Sequence, residues 1–490
     1  MTNDYDVVII GGSLAGREAA LAATQLRAKV ALVEANVNYG FFYHHAMSQI
    51  SKLSQQLGDV VGVGIHPDGV GSPGKSQISV TWPEAMLYAQ EVVANLEAQH
   101  SLAMLMANGV DVIVGRGQFQ SSPRLAFAVN DRLLRARTYL LANGSRPAIP
   151  EIEGLQATGY LTLANIWHSS PYGWENPGRI PPKDWLIIGG VPQSIEVAQT
   201  LARLGCSVTL VVKHPYLLPN LDPEIAQLLQ AQLEVDGVRV ITQTAVTQVM
   251  RIDDKKWVQA GNKAIETDEI LVAIAQQPNV EELNLAGVGV KWYRRRLVVN
   301  NKLQTTNPRI YACGDVIGGY DFGNIANYEA KIALKNALFF PRYKVNYRCI
   351  PLAIFTQPML TQIGLTEAQA KRRYSGNQVL VLRQYFKTLA VAQIAGQTTG
   401  ICKLMVLENG EILGAEICGA EAGELVNIIA LAISQKIKIN HLANLAPVYP
   451  SFSEILQRVA KDWCQQRLER NLVLQEFLAS FYHFRRDWHF

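Results

Sequence analysis

The sequence predicts an α/β fold that gives way to an α+β region near its C-terminus. Three observations carry that reading. Residues 4–34 run strand, glycine turn, helix, strand. Residues 183–213 repeat the layout, so that "DWLIIGGVPQSIEVAQTLARLGCSVTLVVK" mirrors "YDVVIIGGSLAGREAALAATQLRAKVALVE". After about residue 345 the pattern changes to strand-like runs such as "ICKLMVLENGEILGAEICG", with an Asn-Gly turn inside it. The helical stretches "AGELVNIIALAISQ" and "FSEILQRVAKDWCQQRL" follow. A chain of 490 residues is too long for one core, so several domains are expected.

Composition sets the class. Hydrophobic residues make up 49% and charged residues 18%, an ordinary globular balance. A net charge of +4 is too dilute for a nucleic-acid binder, which would show a clustered basic patch. "MTNDYDVVIIGG" lacks the basic start, apolar run and small-residue site of a signal peptide, and no apolar run is long enough to span a membrane. Cys206, Cys313, Cys349, Cys402, Cys418 and Cys464 are scattered, with no C-x-x-C pair. They read as free thiols of a cytoplasmic protein, and no metal site is expected.

The first unit carries "GGSLAG", from Gly11 and Gly12 through Ser13 to Gly16, between the strand "DVVII" and the helix "REAALAATQLR". Small residues let the backbone bend tightly. They also let a pyrophosphate reach the N–H groups and dipole of the helix start. Glu34 ends the next strand about twenty residues on, where a carboxylate can take a ribose hydroxyl pair. Residues 56–76, rich in glycine and polar residues, read as an irregular loop, and 168–183 as a linker into the second unit.

Four further stretches identify a family. "TTNPRIYACGDV" ends at Gly314 and Asp315. "TYLLANGSRPAIP" resembles a strand ending in A-T-G-S-R-P, with Asn143 for threonine before Gly144. "ILVAIAQQPNVEELNL" is similar to V-A-I-G-R-x-P-N, with Ala275 and Gln276 for glycine and arginine. "IPLAIFTQPMLTQIGLTEAQA" resembles the opening of a dimerisation domain. Over roughly residues 4–460 the chain resembles the pyridine nucleotide–disulfide oxidoreductases, two-site flavoproteins such as dihydrolipoamide dehydrogenase, glutathione reductase and mercuric reductase. The resemblance implies two Rossmann-like dinucleotide-binding domains plus a C-terminal α+β dimerisation domain, in a homodimer. Residues 1–150 and 280–345 would form the FAD-binding domain, 151–279 the NAD(P)-binding domain, 346–460 the dimerisation domain, and 461–490 a helical extension. It also implies FAD in the first site, with Glu34 on the adenosine ribose, Asp315 on the ribityl chain, and Gly117, Asn143, Gly144 and Gly314 among the cofactor-binding residues.

The second site is eroded. "GGVPQSIE" keeps Gly189, followed by Gly190, but Val191 and Ser194 replace the other diagnostic glycines. The isopropyl group of Val191 crowds the place where the pyrophosphate should meet the backbone. Val212 stands where Glu34 stands in the first unit, so no carboxylate awaits an NADH ribose. Lys213 and His214 follow. By resemblance they would hold the 2′-phosphate of NADPH, the nicotinamide nucleotide expected if one binds. On the alternative reading they are ordinary exposed loop residues.

"NVNYGFFYHHAMSQISK", from Asn36 to Lys52, covers the stretch where the family carries C-x-x-x-x-C-x-x-S-K against the flavin. Anchored on Ser51 and Lys52, the cysteine positions hold Tyr43 and Ser48. Anchored on Gly40, they hold Phe42 and Met47. Neither version supplies a thiol, so disulfide exchange has no nucleophile. The family's H-P-T-x-x-E segment reads "YPSFSE", with Tyr449 for the histidine and Glu454 kept. A phenol titrates near 10 and is a poor proton shuttle at neutral pH. Lys52 and Glu196 match the family's ion pair beside flavin N5 and the nicotinamide. They point to retained hydride transfer, or else to a structural pair. Phe41, Phe42 and Tyr43 line a flavin pocket that admits a flat quinone, or simply pack. His44 and His45 read as polar loop residues.

Two functions follow. The first is an FAD-dependent NAD(P)H oxidoreductase passing electrons from flavin directly to a non-disulfide small-molecule acceptor, of quinone, diaphorase or transhydrogenase-like type. Lys52, Glu196 and Tyr449 are its candidate catalytic residues. The second is an FAD-binding regulatory or assembly factor with a degenerate NAD(P) site. In the tail, Leu474, Phe477, Leu478 and Phe481 fall at helical spacing before Arg485 and Arg486. Such a helix either touches a membrane surface or partner protein, or folds onto its own dimer.

Overall fold

The computed structural model describes residues 3–34, 40–60, 80–167, 182–293, 296–319, 321–374 and 378–488. Contacts divide the chain into two compact units, residues 1–215 with 236–345, and residues 216–235 with 346–490.

In the first unit, β1 (Tyr5–Ile10), α1 (Leu14–Gln25) and β2 (Val30–Glu34) form the expected strand–helix–strand, and α2 (Gly40–Val60) follows. β3 (Asp111–Val114) and β4 (Ala136–Leu141) extend the sheet. The second motif is β5 (Asp184–Ile188), α3 (Pro192–Arg203) and β6 (Ser207–Val211), joined by β7 (Val238–Ile241) and β8 (Glu269–Val272). The chain then returns to the first sheet as β9 (Ile310–Ala312).

The first sheet has the order β9-β4-β1-β2-β3, all parallel. The second has the order β7-β6-β5-β8, with Leu161–Thr162 beyond β8, again all parallel. Parallel strands covered on both faces need near-continuous apolar runs, which is what "VVII" and "ALVE" provide. One face of the first sheet packs against the alanines of α1, Ala15, Ala19, Ala20 and Ala23, whose small side chains let the helix lie close. The other face buries Phe119, Phe127 and Tyr139 edge to face.

His44 and His45 lie on a helix, α2, rather than in a loop. α2 also runs past residue 56 to Val60, into the segment expected to be irregular. Gln55, Gln56 and Leu57 are good helix formers, and local propensity extends the helix where glycine content alone suggested its end. The rest of that loop, from 61, and residues 168–181 of the expected linker lie outside the described residues.

The second unit is built on an antiparallel sheet, Leu352–Ile354, Met359–Gly364, Ile412–Gly419, Ile401–Leu407 and Val379–Tyr385 in spatial order. The Asn-Gly turn closes its central hairpin, with Gly410 at φ +87° and its N–H donating to Leu407 O. α4 (Ala422–Ser434) and α5 (Glu454–Arg470) complete a core of Phe386, Leu404, Ile417, Ile429, Ile455 and Trp463. α6 (Leu472–Asp487) has no buried residue.

The helix Pro223–Val235, from the middle of the 151–279 stretch, belongs to this second unit. A buried charge cluster fixes it there. Lys403 Nζ lies 2.6 Å from both Asp222 Oδ2 and Glu367 Oε2, and the Asp222 N–H donates to Glu416 Oε1 at 3.0 Å. The other Glu416 oxygen has no hydrogen-bond partner among the described residues. Burial pushes the Glu416 carboxyl up to about 7, against the Asp222 N–H and Lys403 that favour its charge; the Asp222 and Glu367 carboxylates push it further up. Folding therefore takes up a proton at this residue. Its contribution is full below the ordinary glutamate range, near 4.5, and is lost as pH rises to about 7. We expect denaturant unfolding of wild type to lose on the order of 2–3 kcal/mol relative to Glu416→Gln between pH 4.5 and pH 8. Parallel pH profiles of the two chains would show that Glu416 titrates in the folded protein as it does unfolded, and would overturn the raised carboxyl.

Candidate functional site: a cradle beside Glu34 and a buried His44–Glu196 pair

The first glycine turn is held by steric necessity. Gly11 has φ +115°, and a Cβ there would lie 2.3 Å from the backbone of Asn143. A Cβ on Gly16 would lie 2.2 Å from Gly11 O. Ser13, the departure from the glycine pattern, caps α1. Its hydroxyl accepts the Gly16 N–H at 3.3 Å and donates to Ala142 O at 2.8 Å.

Glu34 lies across Gly12, where a Cβ would meet its carboxylate at 2.2 Å. Its partner is Arg17, a buried residue one position past the turn. Arg17 donates to Glu34 Oε1 at 2.6 Å and to His100 O at 2.7 Å. Glu34 Oε2 is buried and has no hydrogen-bond partner among the described residues. A buried carboxylate oxygen with an open lone pair, beside a backbone that admits no side chain, fits a ribose hydroxyl.

The other residues expected at this site lie at the ends of β4 and β9. Gly144 has φ +65°, and Gly314 has φ +71° and donates its N–H to Glu329 Oε2 at 2.6 Å. Asn143 Nδ2 donates to Asn279 O, which ties the two crossing segments together. The Ser145 hydroxyl lies 3.3 Å from Asp315 Oδ2. Asp315 also hydrogen-bonds Asp321, whose carboxyl is pushed up to about 8 by burial and then by the Asp315 charge. The two carboxyls thus share a proton at neutral pH. Gly117 opens a separate small strand, Gly117–Gln120, where a Cβ would meet Ala128 O at 2.3 Å. Its smallness answers a packing demand within that three-stranded sheet.

The second turn keeps the backbone logic and loses the polar groups. A Cβ on Gly189 would lie 1.9 Å from Ala273 O. A Cβ on Gly190 would meet Val212 Cγ1 at 2.8 Å, so a buried isopropyl group takes the place Glu34 has in the first unit. Val191 caps α3 without a side-chain hydrogen bond, and Pro192 removes one N–H from the first turn. The Ser194 hydroxyl donates back to Val191 O at 2.7 Å. Lys213 and His214 are exposed just past β6.

Between α2 and α3 the expected ion pair is replaced. Lys52 is half-buried and makes no ion pair among the described residues. The partner of Glu196 is His44, with Nε2 3.2 Å from Glu196 Oε2 and both side chains buried. The reason is helical phase. His44, Met47 and Ser51 share the buried stripe of α2 at i, i+3 and i+7, whereas Lys52 lies off it. His44 and His45 are therefore helix residues, His44 fully inside, rather than polar loop residues. Trp167 stacks on His44 with ring centroids 6.0 Å apart at 25°. Burial and the neighbouring His44 push His45 down to about 4, so it is neutral near pH 7. One turn before Glu196, Gln193 Nε2 donates to Asp321 O at 3.0 Å. Phe41 is half exposed and meets Phe42 and His45 edge to face, while Met47 is buried. Tyr449, in the second unit, is 73% exposed.

Arg17, His44, Trp167 and Asp321 are the site residues that motif reading passed over. For His44 the signal was present in the i, i+3, i+7 stripe. For the others only the fold brings partners together. Arg17→Met leaves the Glu34 carboxylate buried and unpaired. We expect it to cost roughly 3–5 kcal/mol in denaturant unfolding, with most of the loss recovered in the Arg17→Met, Glu34→Gln double variant.

Comparisons with known proteins agree with this architecture. Residues 5–334 match the family described as pyridine nucleotide-disulphide oxidoreductase, and residues 350–460 match its dimerisation domain. A mercuric reductase from Staphylococcus aureus is 30% identical over 468 residues, covering 93% of this chain and 82% of the relative. A dihydrolipoyl dehydrogenase from Bacillus subtilis is 30% identical over 463 residues, covering 92% and 96%. Among solved structures, LpdA from Mycobacterium tuberculosis shares the fold at TM-score 0.82 and 23% identity, covering 93% of this chain and 99% of that one. The HOCl-induced flavoprotein disulfide reductase RclA from Escherichia coli does so at TM-score 0.78 and 22% identity, covering 93% and 99%. The chain belongs to the pyridine nucleotide-disulphide oxidoreductase family, which implies FAD, a pyridine nucleotide and a homodimer formed through the C-terminal domain.

Proposed function

We propose that the chain is an FAD-dependent NAD(P)H oxidoreductase that passes electrons from flavin directly to a small-molecule acceptor other than a disulfide. One observation carries the reading: α2, which spans every position aligned with the family's thiol pair, contains no cysteine. The thiols elsewhere do not substitute. Burial holds Cys313, Cys402 and Cys418 protonated and pushes Cys206 up to about 12, while Cys349 and Cys464 lie far along the chain, in the second unit. A thiol kept protonated is no nucleophile for disulfide exchange.

In this reading Glu34 holds the adenosine ribose through its open oxygen, with Arg17 keeping the carboxylate in place. Asp315, braced by Ser145, holds the ribityl chain, and the turn at Gly11–Gly16 lets the diphosphate reach the start of α1. Bound FAD supplies the hydride and electron chemistry. Tyr449 takes no part as a base. Lys213 and His214 favour NADPH over NADH, since a phosphate suits two exposed basic side chains while Val212 offers a ribose nothing. We read the protein as cytoplasmic. Among the described residues no helix is long and apolar enough to cross a membrane.

A second reading has its own support. Val191, Pro192 and Val212 together strip the second site of space, a donor and a carboxylate, as expected of an FAD-binding regulatory or assembly factor without turnover. Anaerobic titration of the purified yellow protein separates the two. NADPH is expected to bleach the flavin band, and oxidised glutathione and lipoamide are expected to give no turnover. A flavin left unbleached by both NADPH and NADH would favour the second reading, and sustained lipoamide reduction would defeat the first.

A further inference from the structure

We propose that His44, Glu196 and Trp167 form a proton-delivering site for a quinone, a choice of acceptor that rests on the function proposed above. The three side chains come from separate elements and meet inside the first unit. His44 lies on the buried stripe of α2, Glu196 faces it from α3, and Trp167 stacks on the imidazole.

Three buried nitrogens of His44 and Trp167 make no hydrogen bond among the described residues. They are both ring nitrogens of His44, of which Nε2 meets Glu196 only as an ion pair, and Trp167 Nε1, although His44 is 6% exposed and Trp167 2%. A buried polar group left unpaired costs about 1–3 kcal/mol, so a cluster of them at a stacked pair calls for a ligand that satisfies them. An indole N–H can only donate, and a carbonyl oxygen is its natural acceptor. The partner that suits an aromatic stack, an indole donor and an imidazole is a flat ring bearing carbonyl oxygens.

The exchange of lysine for histidine beside Glu196 gives the chemistry. An ammonium group keeps its proton at neutral pH, whereas an imidazole near neutrality can release and regain one. The charged and titratable groups around His44 are Glu196, His45 and, through Glu196, Asp321. His45 is kept neutral and does not compete. Reducing a quinone to its hydroquinone takes two electrons and two protons. Bound reduced FAD would supply both electrons and one proton as a hydride, for the first O–H bond. The second O–H bond takes the proton of a His44 N–H bond, which solvent then restores. His44 thereby does the work that the absent thiols and the histidine replaced by Tyr449 do elsewhere, for an acceptor that needs a proton rather than a nucleophile.

The test uses the full-length holoprotein with its flavin reduced chemically by dithionite, so that no nicotinamide nucleotide is needed. It is then mixed anaerobically with a benzoquinone, which needs the proton, or with ferricyanide, which takes single electrons and none. For His44→Gln we expect the quinone rate to fall about 10- to 100-fold more than the ferricyanide rate, with loss of the solvent deuterium isotope effect on the quinone step. Independently, Trp167→Phe should weaken quinone binding about tenfold by equilibrium dialysis. Equal loss with both acceptors, an undiminished quinone rate in His44→Gln, or no quinone binding by wild type would overturn the proposal. Failure of NADPH to bleach the flavin would instead count against the donor side of the proposed function, and leaves this measurement intact.

Discussion

No side chain fits between Gly11 and Asn143, and the architecture of the first unit follows from that contact. The end of β1 must pass within van der Waals distance of the end of β4 for both to present their C-terminal edges at one crevice. The same constraint is met at Gly189 and Ala273 in the second motif. Parallel pairing sets these distances, and apolar strands covered on both faces make the pairing worth its conformational entropy. Because the backbones touch, each glycine turn delivers a helix start, a strand-end side chain and a crossing loop to one place. What the site then does depends on which side chains those are.

The two motifs show how far chemistry can diverge on one backbone. In the first, the strand-end residue is a carboxylate held by a buried guanidinium, with one oxygen left open. In the second it is Val212, pressed against Gly190, behind a helix start that Pro192 has robbed of a donor. The geometry of nucleotide binding survives in both, and the polar recognition survives in one. That asymmetry fits a protein selected for its flavin more strongly than for a particular reductant.

A similar displacement runs through the middle of the first unit. Where relatives would place thiols, α2 carries aromatics and histidines. The ion pair beside Glu196 passes from Lys52 to His44 because the helix turns His44 inward. In the second unit, the buried Lys403 anchors Asp222 and Glu367, and Glu416 sits beside them without a full complement of hydrogen-bond partners among the described residues. Buried charge in both units is concentrated where separate segments of chain must hold to one another, an arrangement that favours specificity over raw stability.

The sequence by itself determined the two βαβ motifs, the antiparallel C-terminal sheet with its Asn-Gly turn, the glycine turns and the absence of a thiol pair. Each is a local pattern, a period of two or 3.6, a turn residue or a missing residue type, and local patterns are written in consecutive positions. It misjudged His44 and His45, read as polar loop residues, and the first residues of 56–76, read as irregular loop, all of which lie on the helix Gly40–Val60. Only the tertiary structure decided that Arg17 holds Glu34, that His44 rather than Lys52 meets Glu196, that Asp321 shares a proton with Asp315, and that the helix Pro223–Val235 groups with the C-terminal sheet. Those facts depend on which faces of distant elements come together, and burial alone turns an exposed-looking histidine or aspartate into a group that must find a partner or keep a proton.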